Sequence, residues 1–320
     1  MKLTDIILIF LWNFLFTIFA THWLISFLKA RSIGQKIREE GPRSHLSKQG
    51  NPTMGGIVFV AALITTILIF RNIFFEYITL WLVIVAGAIT GFMDDWIKVL
   101  KHRSLGLRAR EKLALQFLFS ILLGWWCYSC GYTFTYLPWG GSLELGWTKI
   151  ILVSLCWVGS LNAVNFTDGL DGLASSTTTV VAIILAGFLY ILNPMDNLIG
   201  FLFAVVGINL GFLLFNGYPA SIFMGDIGSF FLGAALATVV VVRGLELWFI
   251  WLGLPFVLEV ISVIIQVISF KMTGKRVFRM TPIHHHFEQM GFPEVKIARG
   301  FTILTIIIGG VGLYLFLLLK

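Results

Sequence analysis

Asn162-Ala163-Val164-Asn165-Phe166-Thr167-Asp168-Gly169-Leu170-Asp171-Gly172-Leu173 separates two long apolar runs and is the densest cluster of polar groups at any helix junction of the chain. A polar turn between two apolar runs is how successive membrane helices are joined, so this stretch decides the fold class. Asn165, Asp168 and Asp171 stand three apart. On a helical turn their side chains would share one face, about 5–6 Å apart. Gly169 and Gly172 allow a sharp turn and close approach of the backbone to a bound group. Convergent oxygens beside two glycines suit a sugar, a nucleoside base or a hard cation. The plainer alternative is a polar loop that only joins two helices, and two acids together with two amides weigh against it.

The rest of the chain agrees with a membrane protein. Of 320 residues, 58% are hydrophobic and 12% charged, where soluble chains hold about 25% charged residues. That balance excludes a soluble globular domain. The first apolar run, 6–28, is too long for a cleavable signal and lacks a small-residue cleavage motif. Further apolar runs cover 54–70, 78–93, 113–130, 148–164, 175–192, 198–215, 227–242, 247–270 and 300–319. The expectation is an all-α, polytopic integral membrane protein of about ten transmembrane helices, a single membrane-embedded domain over 1–320 with no soluble domain and no internal repeat.

Basic residues set the orientation. Six lie from Lys29 to Lys48, six from Lys98 to Lys112 and six from Lys271 to Arg299, against Arg71, Lys149 and Arg243 in the intervening loops. Lys and Arg mark the cytoplasmic side. These three loops therefore face the cytoplasm, with both termini on the periplasmic or extracytoplasmic side. The net charge of +7 belongs to the inner surface, where it suits anionic lipid heads and phosphates. Nothing calls for nucleic acid.

Four further polar motifs fall on the same side. Pro52-Thr53-Met54-Gly55-Gly56, preceded by Lys48, makes a rigid, close-approach turn. Lys48 and Thr53 offer donors to a phosphate or a uracil, although a tight turn with a snorkelling lysine explains the motif equally well. Asp94-Asp95-Trp96-Ile97-Lys98 puts Lys98 on the face of Asp94. Neighbouring helical residues point about 100° apart, so the two acids are expected to do different jobs. Phe223-Met224-Gly225-Asp226-Ile227-Gly228-Ser229 places Asp226 in a first helical turn, as a metal ligand or as an N-terminal cap. Three consecutive histidines, His284, His285 and His286, fan around a helix; phosphate oxygens suit them better than one zinc ion, which favours spaced ligands. Glu259, an acid within an apolar run, reads as structural support, and the Cys127-x-x-Cys130 pair as packing. The aromatic loop Gly131–Trp147 reads as an outer interfacial belt.

In this order, PTMGG, DDWIK, NAVNFTDGLDGL, FMGDIGS, PFVLEVISVIIQV and TPIHHHFE resemble the phospho-N-acetylmuramoyl-pentapeptide transferases, nearly end to end. These are a branch of the polyprenyl-phosphate N-acetylhexosamine-1-phosphate transferases. The aspartate motifs are shared across that superfamily, whereas PTMGG with the triple histidine points to the muramoyl-pentapeptide branch. The resemblance implies attack of undecaprenyl phosphate on the β-phosphate of UDP-N-acetylmuramoyl-pentapeptide, giving lipid I and UMP with Mg²⁺ as cofactor. It implies the cytoplasmic (inner) membrane, an active site on the cytoplasmic face and a homodimer. It further implies Asp226 as the main Mg²⁺ ligand with Asp95 assisting, and Asp94 taking or orienting the proton of the lipid phosphate. Lys98, Lys112, His284, His285 and His286 would neutralise the diphosphate. Lys48, Thr53, Asn165, Asp168, Asp171, Asn216, Phe223 and Gln266 would form the nucleotide pocket, with Phe223 stacking on uracil.

Two other readings compete. A sister transferase passing N-acetylglucosamine-1-phosphate would share the aspartates but not the histidine loop. An ion-coupled transporter should carry its acids at mid-membrane, whereas every acid in a likely span but Glu259 lies at a helix end.

Overall fold

The computed structural model describes residues 1–31, 50–101 and 106–320. Lys48 and the first basic loop beyond Arg31 lie outside the described residues, as does Arg103. In lipid a backbone has no water to bond, so apolar segments satisfy their N–H and C=O groups internally as helices. Five come first: α1 (Leu3–Ala30), α2 (Ile57–Ile69), the single turn α3 (Arg71–Phe74), α4 (Ile78–Leu100) and α5 (Ala109–Ser129). A short hairpin of β1 (Phe134–Tyr136) and β2 (Ser142–Glu144) follows, antiparallel with Thr135 opposite Leu143. Then come α6 (Lys149–Thr167), α7 (Leu173–Leu192), α8 (Leu198–Asn216), α9 (Gly225–Val242), α10 (Glu246–Leu252), α11 (Leu254–Thr273), α12 (Ile283–Gln289) and α13 (Glu294–Leu319).

The chain is an all-α, multi-pass membrane protein. Among the described residues, eight helical segments are long and apolar enough to cross a bilayer: Leu3–Ala30, Arg71–Leu100, Gly146–Thr167, Leu173–Leu192, Leu198–Asn216, Gly225–Val242, Leu254–Thr273 and Glu294–Leu319. The two others expected from the sequence, over 54–70 and 113–130, are the helices α2 and α5. α2 has 13 residues, about 20 Å at 1.5 Å per residue, against about 30 Å of hydrocarbon. α5 opens on Arg110, Glu111 and Lys112 and is less apolar. The run expected as one helix over 247–270 is two, α10 and α11, separated at Gly253. Pro255 sits in the first turn of α11, where its missing N–H costs nothing; within a continuous helix it would remove a hydrogen bond.

α9 is the spine. Every residue from Ile227 to Val242 is buried, as expected of a helix apolar on all sides. α4 and α6 pack along it, α5 lies against α6, α7 against α8 and α13, and α1 against α8. Small residues allow the closest approaches: a Cβ on Gly91 would run into the Asp226 carbonyl, and one on Gly233 into the Leu161 backbone. α1, α11 and α13 keep broad apolar faces uncovered, including Phe19, Ile264 and Ile307, which suits contact with lipid.

The end carrying the hairpin is fixed by ion pairs. Lys149 and Glu246 are paired and almost fully enclosed; Lys149 also donates to the Phe134 carbonyl at 2.8 Å, and Thr135 donates to Glu246 at 2.9 Å. Arg243 meets Asp196 in a bidentate pair at 2.5 and 2.8 Å. Removing one partner of a buried pair strands the other charge, at a cost of roughly 3–5 kcal/mol. Glu246→Ala should therefore lower unfolding stability in detergent by about that amount, and Glu246→Leu with Lys149→Met should recover most of the loss. A loss below about 1 kcal/mol from the single change, the scale of an exposed pair, would show that Lys149 finds water or another partner.

Candidate active site

Helix ends converge at the opposite end of the bundle. α4 ends with Asp94, Asp95 and Lys98, α5 begins near Lys112, α6 ends near Asn165 and α9 begins with Asp226. One oxygen from each of Asp94, Asp95 and Asp226 lies within 4.8 Å of the others, the one grouping of metal-type ligands among the described residues. Lys98 Nζ stands 2.6 Å from Asp94, 3.3 Å from Asp95 and 3.3 Å from Asp226. Lys112 Nζ stands 3.0 Å from Asp94 and 2.7 Å from Asp226, and lies over the Phe230 ring. Asn165 donates to Asp226 at 3.0 Å and to the Ser229 hydroxyl at 2.9 Å.

Each carboxylate is held differently. Asp94 is fully enclosed and accepts from the Leu107 amide at 2.7 Å. Asp95, 3% exposed, accepts from the Ile227 amide at 3.2 Å. Asp226 is the most open, with its side chain 15% exposed. Asp226 lies in the first turn of α9, and its oxygens go to Lys112, Lys98 and Asn165. Gly225 precedes it at φ 72°, and a Cβ there would press on the Asp95 carboxylate. Only glycine satisfies both demands.

The first motif forms one wall. The Phe223 amide donates to the Pro52 carbonyl and the Gly55 amide to the Phe223 carbonyl, both at 2.9 Å, and Gly56 bonds to Met224 at 2.8 Å. Asn51 donates to the Ala220 carbonyl at 2.8 Å. Thr53 is buried in this wall and Phe223 half-buried. A Cβ on Gly56 would overlap the Gly228 backbone, so the turn seats directly on α9.

Several residues sit otherwise than expected. α6 stops at Thr167, and Asp168 and Asp171 lie in the turn before α7, so Asn165, Asp168 and Asp171 share no helical face. Asp171 accepts from the Ala220 amide at 2.9 Å, while its own amide donates to Glu294 at 2.6 Å. Asn216 donates to the Ile222 carbonyl at 3.0 Å. The Gln266 amide oxygen accepts from Val277 and Phe278, and its nitrogen donates to the Phe278 carbonyl, all at 3.0 Å. That clamps the loop after α11 and leaves little of the amide for a nucleotide. Asp94 and Asp95, expected to point apart, both reach Lys98, because the long lysine side chain spans the angle between them. The histidines diverge: His284 is enclosed beside Glu259 at 3.1 Å, His285 meets Glu288 at 3.0 Å, and His286 accepts from the Arg279 amide at 3.1 Å.

Sequence reasoning missed Gln116. It is fully buried one turn beyond Lys112 and accepts from Asn162 at 2.7 Å, tying α5 to α6 beneath the site. The signal was present: Lys112, Gln116, Ser120 and Gly124 recur every four residues on an otherwise apolar helix.

The cluster fits a hard divalent cation, which takes carboxylate oxygens. Three carboxyl groups face two ammonium groups there, so acids outnumber bases by one. A charge cluster of this kind at the helix ends of a membrane bundle suits the handling of phosphorylated groups, and the comparisons assign the chain to a family of transferases. Residues 77–244 match glycosyl transferase family 4. The chain is 40% identical to the phospho-N-acetylmuramoyl-pentapeptide-transferase of Bacillus subtilis (strain 168) over 315 residues, 95% of this chain and 96% of that one. It is 41% identical to the protein of that name from Oceanobacillus iheyensis over 98% of this chain and 99% of that one. With the Clostridium beijerinckii protein of the same name it shares 43% over 94% and 93%. The chain belongs to glycosyl transferase family 4 and, within it, to the family of phospho-N-acetylmuramoyl-pentapeptide-transferases.

Asp168 lies just beyond α6, outside the spanning segments. Burial, reinforced by the charges of Asp226, Asp95 and Asp171 and opposed by Lys98, pushes its carboxyl well above the ordinary range. An acid raised in the folded state is disfavoured in its charged form there. Its contribution is best below the unfolded value of about 4 and declines as pH rises through the folded value. In metal-free buffer the melting temperature of Asp168→Asn relative to the parent should rise as pH increases above about 4, leaving the variant at least as stable as the parent at the alkaline end. Parallel pH profiles for parent and variant would refute the burial of charge at Asp168.

Proposed function

We propose that this chain, as a single membrane-embedded domain, transfers phospho-N-acetylmuramoyl-pentapeptide from its UDP conjugate to undecaprenyl phosphate, releasing UMP and leaving lipid I. The observation that carries the reading is the carboxylate–lysine cluster at the ends of α4, α5, α6 and α9, in a chain whose relatives match it nearly end to end. The reaction belongs on the cytoplasmic face of the bacterial cytoplasmic membrane. The cluster shares an end of the bundle with Lys101, Arg108, Arg110, Lys271, Lys275 and Arg276, the signature of the inner side. A second copy of the chain as partner rests on the family resemblance.

Phosphoryl transfer asks mainly for positioning and for neutralisation of phosphate oxygens. Lys98 and Lys112, with side chains 30% and 20% exposed, present ammonium donors to the diphosphate. Asp94, enclosed and bonded to both lysines, orients them. Asp226 and Asp95 would hold Mg²⁺, which supplies charge neutralisation and alignment of the two phosphates when bound. Asn165 and Ser229 keep Asp226 aimed at the cleft. An oxygen of the lipid phosphate bonds to the β-phosphorus, the bond from that phosphorus to the bridging oxygen breaks, and UMP leaves with the electron pair. Thr53, Phe223 and Asp168 line the side assigned to nucleotide and sugar.

The test is UMP release by purified protein with Mg²⁺ and undecaprenyl phosphate. UDP-N-acetylmuramoyl-pentapeptide should support turnover and UDP-N-acetylglucosamine should not; the reverse preference would reassign the chain to the sister transferases. Asp226→Asn keeps the shape and loses the charge, and should lower kcat by roughly 100-fold or more, the scale of losing one group aimed at developing charge. Near-parental turnover would remove Asp226 from the metal site.

The geometry also favours direct attack over an aspartyl-phosphate intermediate. Asp94 has both oxygens engaged, by Lys98 and by Leu107 with Lys112, and Asp95 has one on Lys98 and one on the Ile227 amide. Both acids are enclosed, at 0% and 3% exposure, which speaks against the approach of a phosphorus atom to either. Labelled UMP should therefore not exchange into the UDP-sugar when lipid phosphate is rigorously removed. Exchange that Asp94→Asn abolishes would establish the covalent route.

A further inference from the structure

An acid inside an apolar helix is costly unless it faces a partner, and the partner of Glu259 is unusually placed. Glu259 is fully enclosed in α11, 3.1 Å from His284 Nδ1, and its carboxylate lies 3.4 Å from the His284 backbone amide. The His284 ring is itself fully enclosed. Neither ring nitrogen makes a hydrogen bond, and Nε2 lies where a Cβ on residue 169 would be. Gly169 is not among the glycines with positive φ, so its backbone conformation does not explain the glycine; the imidazole against it does. The chain of contact thus runs from α11 through Glu259 and His284 to the turn that carries Asp168.

We propose that Glu259 and His284 are positioning residues that brace the Asp168–Gly169 turn against α11, and that His284 does not touch the transferred phosphate. The ring acts as a wedge. One side rests against the Glu259 carboxyl group, which lies beside both the ring and the backbone amide of the same residue, and the other side fills the space left by the missing Cβ at Gly169. The role in turnover rests on the transferase reading given above: bracing this turn serves the nucleotide-sugar side of the cleft. The packing contact does not depend on that reading.

The experiment is a double-mutant cycle with Gly169→Ala and His284→Asn, read by thermal unfolding and by steady-state kinetics. Asparagine keeps a nitrogen near the place of Nδ1 for Glu259 but vacates the space over Gly169. Gly169→Ala alone should lower the melting temperature and raise KM for the UDP-linked substrate roughly 10- to 100-fold, the scale of a misplaced binding element. The KM for undecaprenyl phosphate and the kcat should change much less. In the His284→Asn background the added methyl has room, so Gly169→Ala should there be neutral or restorative on both readouts. Additive effects on melting temperature would overturn the wedge whether or not the protein turns over. A kcat loss that dominates KM in His284→Asn would instead place His284 on the reacting phosphate. Coupled unfolding in a parent protein that releases no UMP would keep the wedge and remove the transferase reading.

Discussion

Three carboxylates within 4.8 Å of one another repel strongly at a membrane helix end, and no arrangement of the backbone relieves that by itself. The two lysines do. Lys98 comes from one turn beyond Asp94 on α4, and Lys112 from the first turn of α5, so opposite charges from two helices lock together the ends of α4, α5 and α9. Asn165 adds α6 by its bond to Asp226. Since α9 is buried along its length, the cluster and the spine impose one register on the bundle. Sliding α4 against α9 would separate Asp95 from the Ile227 amide and drive Gly91 away from the Asp226 carbonyl.

The wall opposite the lysines follows from the same constraint. Pro52 to Gly56 runs beside Phe223 and Met224 through backbone bonds, and Gly56 has no room for a side chain over Gly228. A short α2 is the consequence. Its chain is used in a turn packed onto the start of α9 and begins its helix only at Ile57, so it is too short to cross the hydrocarbon as the longer helices do. The site is therefore walled by an irregular backbone at a helix end, where its polar groups bond to the next segment, not to lipid.

Much of this was legible from the sequence because the information was local. Apolar runs marked helices at nearly the observed places, and Asp94, Asp95, Lys98, Lys112 and Asp226, with the amide of Asn165, announced charged and polar groups where a membrane helix should carry few. The failures came where a tertiary partner decides. Spacing of three between Asn165, Asp168 and Asp171 suggested a common face, but Gly169 and Gly172 end the helix and Asp171 is drawn to the Ala220 amide. Asp94 and Asp95 point apart along the helix, yet Lys98 reaches both, a sharing that angular separation alone does not show. Gln266 and Asn216 bond to backbone groups of neighbouring loops, contacts that no pattern in their own segments shows. His284 and Glu259 stand 25 residues apart, and no pattern within either segment shows that they meet.

The two ends of the bundle show what separates a structural charge from a chemical one. At the hairpin end, Lys149 pairs with Glu246 and Arg243 with Asp196, acid matched to base one for one; Lys149, Glu246 and Asp196 are at most 5% exposed. Such pairs lose their strength if opened, because each charge is left in a poor solvent. At the other end the count does not match: three acids face two bases, and Lys98, Lys112 and Asp226 keep 30%, 20% and 15% of their side chains accessible. The excess acid invites a cation, and the exposed ammonium groups can turn from carboxylates toward phosphate without leaving a buried charge behind. A matched and closed set can only hold helices together. An unmatched and partly open set, held in place by the same helices, can exchange its internal partners for those of a substrate.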